Sequence, residues 1–168
     1  MSTYTLPGLD QPTAEKACEI LQDRLVALTD LHLTLKHIHW NVVGPGFIAV
    51  HKMLDPQVDT VRLQADAIAE RIAAMGGEPI GTPGALVKAR AWDDYALRRA
   101  TVEEHLTALD EVYTGVIKSH RSGFEQLEDL DQVSHDMLVQ QTQDLEQYQW
   151  FVRAHLEDEA GRLHQQHR

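Results

Sequence analysis

The 168-residue chain carries one cysteine, Cys18, so no disulfide can close within it, and a reducing cytoplasm is the expected compartment. Its opening, "MSTYTLPGLD", lacks the basic start and apolar run of a signal peptide. No apolar stretch approaches the roughly 20 residues of a membrane span. Strand signals, internal repeats and low-complexity segments are absent. Basic residues are scarce: 15 Lys and Arg stand against 26 Asp and Glu, a formal net charge of −11. Such a surface repels polyanions and favours cations, which argues against strong nucleic-acid binding.

What is present is helical periodicity. With 43% apolar residues the chain reads as one domain, 1–168, with residues 1–13 an N-terminal tail and 158–168 a C-terminal tail. A first helix follows Pro12-Thr13 and runs toward Trp40, with Ala17, Leu21, Leu28 and Leu35 on one face, until Gly44-Pro45-Gly46 ends it. A second runs from about Phe47 to Met75, because Leu54, Val58, Val61, Ala65, Ile68, Ile72 and Met75 recur in steps of four and three; Pro56 falls inside it. The Pro- and Gly-rich stretch after Gly76-Gly77 reads as a long crossover with a short helix near Trp92 to Arg98. A capping box at Thr101 to Glu104 opens a third helix, which fades past Gly123, and Asp131 caps a fourth. This order predicts an all-α, ferritin-like four-helix bundle with a long crossover.

A di-iron site inside such a bundle needs Glu-x-x-His motifs, and the chain has none: Glu104-His105, and Asp131 with His135, have the wrong spacing. A metal would sit elsewhere. The segment "LKHIHWNVVGPGFIAVHKMLD" gathers His37, His39 and His51 with Asp55 around the Gly-Pro-Gly turn. His39 falls five turns after Leu21, on the apolar face, whereas His37 points roughly the opposite way. On the second helix His51, Asp55, Asp66 and Glu70 fall within an arc of roughly 100°. The residues alone leave open a metal site, an acid/base cluster and a solvated helix flank.

Spacing limits how a metal could use that stripe. His51 and Asp66 lie about 22 Å apart along a helix, too far to share an ion within one subunit. Positions 51 and 70 have the midpoint 60.5, as do 55 and 66. An antiparallel copy of the helix about a two-fold axis there would set His51 opposite Glu70 and Asp55 opposite Asp66, giving two identical sites per dimer.

The blocks "HWNVVGPGFIAVHKMLD", "ADAIAERIAAMGGEPIGTP" and "QWFVRAHLE" closely resemble the Dps family, the mini-ferritins also called DNA-binding proteins from starved cells. The resemblance spans nearly the whole chain. It implies four-helix subunits in hollow dodecamers of 23 symmetry, with ferroxidase centres at the two-fold interfaces. Carried over by motif, the iron ligands and catalytic residues are His39, His51 and Asp55 of one subunit with Asp66 and Glu70 of its partner. It implies a two-iron centre, oxidation of Fe(II) preferentially by hydrogen peroxide, and a ferric mineral in the cavity. Where many members carry Glu, this chain has Lys52, which makes the local field less acidic. Trp40 is expected to pack at the two-fold interface. Acidic pores on three-fold axes would draw on Asp131, Asp136 and Asp144 as an iron route.

Members of the family that bind DNA strongly tend to carry basic extensions. Here residues 1–15 hold no Lys or Arg, and "HLEDEAGRLHQQHR" offsets its basic residues with Glu157, Asp158 and Glu159. Weak or absent DNA binding at neutral pH is expected, rising below pH about 6.5 as His164 and His167 protonate. Two other readings compete: a nucleoid-associated, DNA-protecting structural protein, and a metal-assisted hydrolase using the same ligands around Zn(II).

Overall fold

The computed structural model describes Leu6 and residues 8–157. The rest of both tails, including His164 and His167, lies outside the described residues. Among the described residues, five α-helices and one short strand pair follow in the order α1 (Gln11–Asn41), β1 (Val42–Val43), α2 (Phe47–Ala74), α3 (Pro83–Ala89), β2 (Ala100–Thr101), α4 (Val102–Leu127) and α5 (Gln132–Ala154). The four long helices form two hairpins, α1 with α2 and α4 with α5, and α1 packs against α4. This is the expected bundle.

Its core is the expected stripe of each helix. Leu21, Leu28, Leu35, Leu54, Val61, Ile68, Leu106, Leu109, Leu138 and Leu145 are all fully buried. Helix α1 starts at Gln11, ahead of the expected point: the Asp10 carboxylate accepts from the Thr13 amide at 2.9 Å, and Pro12 occupies the first turn, where no amide donor is needed. Pro56 sits exposed inside an uninterrupted α2. The Thr101–Glu104 capping box and the Asp131 cap are both present, with Asp131 accepting from the Ser134 amide.

Three expectations are corrected. The short crossover helix is α3, not residues 92–98, since Thr82-Pro83 starts a helix and the later segment is held open by side chains. The Trp92 indole donates to Asp30 at 2.7 Å, Arg90 pairs with Asp30 at 3.1 Å, and His37 Nε2 meets the Leu97 carbonyl at 2.8 Å. Second, α4 continues through Gly123 to Leu127. A Cβ at Gly123 would come within 3.2 Å of Arg24 and Leu138, so that glycine makes room for neighbours rather than stopping the helix. Third, there is strand: β1 and β2 pair in parallel, Val42 with Ala100, and tie the crossover's end to the turn after α1.

The bundle interior also holds a poorly partnered histidine. His120 is buried, neither ring nitrogen has a well-formed hydrogen bond among the described residues, and burial, followed by the nearby Arg24 charge, outweighs weak contacts with Val116 and Gln141 and pushes its pKa down to about 4 from 6.5. The folded value lies below the unfolded one, so between pH 6.5 and 4 the unfolded chain takes up a proton that the folded chain refuses. Stability is complete above pH 6.5 and falls on acidification, by about 3 kcal/mol at pH 4 from this group. His32 and His105, also lowered chiefly by burial, add in the same direction. Denaturant unfolding of His120→Leu should show stability at pH 7 no worse than wild type and a shallower loss by pH 4.5; an unchanged pH slope contradicts this assignment.

Candidate metal centre

The turn that separates α1 from α2 is made by Gly44 and Gly46, with φ of 94° and 79°. A side chain would be strained at both, and the chain needs both to reverse within a few residues. The amides of Phe47 and Val50 then bond back to the carbonyls of Gly44 and Gly46. The result sets the last turn of α1 beside the first turn of α2. His39 and His51 face each other there.

The two histidines fix one another. His39 Nδ1 lies 2.9 Å from the His51 carbonyl, and His51 Nδ1 lies 2.9 Å from the His39 carbonyl. A carbonyl only accepts, so each Nδ1 carries the proton and each Nε2 keeps its lone pair. The rings stack at 3.7 Å between centroids, and Phe47 packs on His51 at 5.2 Å. Both imidazoles are therefore held in one tautomer, with Nε2 unprotonated as a metal ligand requires. His39 is buried and His51 half-buried.

Asp55, one turn beyond His51, completes a group of three whose ligand atoms lie within 4.8 Å of one another. Its Oδ1 is 3.3 Å from His39 Nδ1 and 3.4 Å from Lys36 Nζ. Among the described residues its Oδ2 has no partner, which leaves that oxygen for a cation. Lys36 was not singled out in the sequence, although it lies three residues before His39 and so on the same face of α1. Two imidazole nitrogens of fixed tautomer and a carboxylate oxygen suit Fe(II), and also Zn(II). Three protein ligands leave such an ion open.

Asp66 and Glu70 do not join this group within the subunit. Both are exposed, on the stripe of α2 that also carries Ile48, His51, Asp55, Asp59 and Leu63. Ile48 and Leu63 are each 56% exposed, and Trp40 at the end of α1 is 70% exposed. Ile48 and Leu63 thus set large apolar side chains beside the candidate ligands on the exposed stripe.

The three acids of the expected iron route are not brought to one point. Asp131 is engaged by its cap and by Arg71 at 2.7 Å. Burial alone would raise its carboxyl pKa, but hydrogen bonds from Ser134 and Arg71 outweigh burial and hold it below the ordinary carboxylate range. Asp144 accepts from Gln64 at 3.0 Å. Asp136 is exposed, and contacts with His135 and Gln132 lower its pKa.

A protein-family model described as Ferritin-like domain matches residues 18–161. The DNA protection during starvation protein of Mycolicibacterium smegmatis is 56% identical over 163 residues, 97% of this chain and 89% of that protein. The fine tangled pili major subunit of Haemophilus ducreyi is 50% identical over 160 residues, 95% of this chain and 85% of that one. Among solved structures, the tetragonal form of Mycobacterium smegmatis Dps superposes with a TM-score of 0.96 at 56% identity, covering 98% of this chain and all of that one. DpsA14 from Streptomyces coelicolor gives 0.94 at 57% identity, covering 97% of each. On this similarity along almost its whole length, the chain belongs to the ferritin-like domain family and, within it, to the Dps proteins.

Proposed function

We propose that the protein is an iron-storing, iron-detoxifying mini-ferritin that oxidises Fe(II), preferentially with hydrogen peroxide, at centres shared between subunits. Iron is the substrate and the cargo. One observation supports the reading: His39, His51 and Asp55 lie together with both imidazole tautomers set, while Asp66 and Glu70 are exposed on the same stripe, Asp66 about 22 Å from His51 along the helix. A two-fold axis at 60.5 completes both halves. The same axis sets Asp59 opposite Arg62 of the partner subunit, both exposed here, so the charges near the axis are complementary. It also covers Ile48 and Leu63.

Within such a centre His39 and His51 would hold Fe(II) through Nε2, and the carboxylates of Asp55, Asp66 and Glu70 would favour the harder ferric product. Lys36 and Lys52 make the site less acidic, which aids release toward the store. Two ferrous ions give one electron each to hydrogen peroxide, which takes two protons and leaves as two water molecules, so no hydroxyl radical need escape. The assembly is proposed to be a hollow dodecamer with the mineral inside. Asp136, Asp144 and, less freely, Asp131 would attract iron along a three-fold route. The compartment proposed is the cytoplasm; among the described residues no helix is long and apolar enough to cross a membrane.

Loading the iron-free protein with Fe(II) under nitrogen and then adding peroxide tests the reading. Absorbance should rise with about two Fe(II) consumed per peroxide, the two-electron stoichiometry of a site that brings oxidant to paired metal ions. A ratio near one with trapped hydroxyl radical, or no acceleration over free iron, would overturn it.

Dps and ferritin-like proteins typically store iron and protect DNA. For this chain direct DNA binding is the weaker half. Twelve subunits would carry about −132 formal charges, and residues 1–15 hold no Lys or Arg to offset them. Linear DNA should not shift at pH 8 in about 50 mM salt, where screening is weak. A salt-sensitive shift there would restore the nucleoid-associated reading. The hydrolase alternative predicts Zn(II)-dependent turnover without peroxide.

A further inference from the structure

A cavity lies between α1, α4 and the crossover segment 92–97, and none of His39, His51 and Asp55 lines it. Its volume is about 460 Å³, within the usual range for small-molecule sites. Leu31, Val112 and Val116 give it apolar walls, and Trp92 and Tyr95 close one side. Gly115 lies along it, in the middle of α4, where a Cβ would meet no atom within 4 Å. Glycine weakens a helix interior relative to alanine, and no neighbour requires it here. Gly123, on the same helix, contrasts with it, because Arg24 and Leu138 fill the space a side chain would take.

The charge of the cavity is one-sided. Of its 16 lining residues four are acidic, Asp30, Asp93, Asp94 and Glu111, and none is basic. Arg90 pairs with Asp30 and Asp94, and Trp92 also bonds Asp30, so those two are engaged. Among the described residues Asp93 and Glu111 make no ion pair or side-chain hydrogen bond. A cavity of this size is too small for a helix about 10 Å across but takes one small molecule or one side chain.

We propose that this cavity binds a small organic ammonium ion, its aromatic or short alkyl body against Leu31, Val112 and Val116 and its charge toward Asp93 and Glu111. Trp92 and Tyr95 add aromatic surface, which favours a cation over a neutral molecule of the same shape. Gly115 keeps the space open. The site is separate from the iron ligands and does not depend on them.

Calorimetric titration of the iron-free, full-length protein with 2-phenylethylammonium at pH 7 tests this. Saturable binding at one per subunit is expected, at least about tenfold tighter than for 2-phenylethanol, which has the same body without the charge. Ammonium chloride at the same concentration should not compete. Gly115→Leu should abolish binding by filling the cavity, and Asp93→Asn with Glu111→Gln should weaken it by about tenfold through loss of the facing charges. Those two acids are exposed, so the second variant keeps the test valid if the first fails to fold. No saturable heat at millimolar probe, equal affinity for the alcohol, or wild-type binding by either folded variant would overturn the proposal.

Discussion

Replacing His39 and His51 together by alanine should slow the initial rate of Fe(II) oxidation by at least about 100-fold, since losing even the outer partners of a metal ligand costs 10- to 100-fold. The loss should come without unfolding. The imidazoles hydrogen-bond to each other's backbone carbonyls at the end of the α1–α2 hairpin, and neither belongs to the apolar core cluster. Far-ultraviolet circular dichroism and the thermal midpoint separate the two effects. A double variant that stays folded and oxidises iron at the wild-type rate would place the chemistry at another site.

Tyr113 should show the opposite pattern, a large loss of stability at a residue outside the candidate ligand group. It is fully buried, and its hydroxyl donates to Gln57 Oε1 at 2.7 Å inside the bundle. Burial raises its pKa well above the ordinary phenol value, so the hydroxyl stays protonated and remains a donor. Tyr113→Ala should cost about 3–5 kcal/mol by opening a cavity. Tyr113→Phe should cost about 1–3 kcal/mol, because Gln57, whose Nε2 is already unpaired, would then have no partner at its oxygen either. Denaturant midpoints at pH 7 measure both. If Tyr113→Phe matched wild type, the buried hydrogen bond would not be a net contributor.

The bundle is legible in the sequence because its core repeats: seven apolar residues from Leu54 to Met75 keep one face of α2, and the structure buries all seven. Caps were legible for the same local reason, as at Thr101 and Asp131. The crossover was not, since its shape depends on contacts remote in sequence. Arg90 and Trp92 reach Asp30, some 60 positions away, and the Ile80 backbone exchanges hydrogen bonds with Gln22. Without those ties the aromatic stretch after Arg90 looks helical. The strand pair is two residues per side, too short for any alternation to register.

At the candidate metal centre, the glycine turn was expected to let His39 and His51 converge, and the two lie side by side with Asp55 next to them. The reciprocal bonds that set both tautomers were invisible, because they join ring nitrogens to backbone carbonyls across the turn. Lys36 was within reach of the same periodic argument that placed His39. Its pairing with Asp55 needed the α1–α2 packing to be seen.

The central claim is that each iron centre draws on two subunits. It is tested by mixing subunits carrying His51→Ala and Asp55→Ala with subunits carrying Asp66→Ala and Glu70→Ala, after unfolding and co-refolding, with mixed dimers verified by native mass spectrometry. Each variant alone lacks half of every site. A mixed dimer rebuilds one complete site from the two wild-type halves, so oxidation of Fe(II) by peroxide should return to a substantial fraction of the wild-type rate. Verified mixed dimers as inactive as the parent variants would contradict the shared centre.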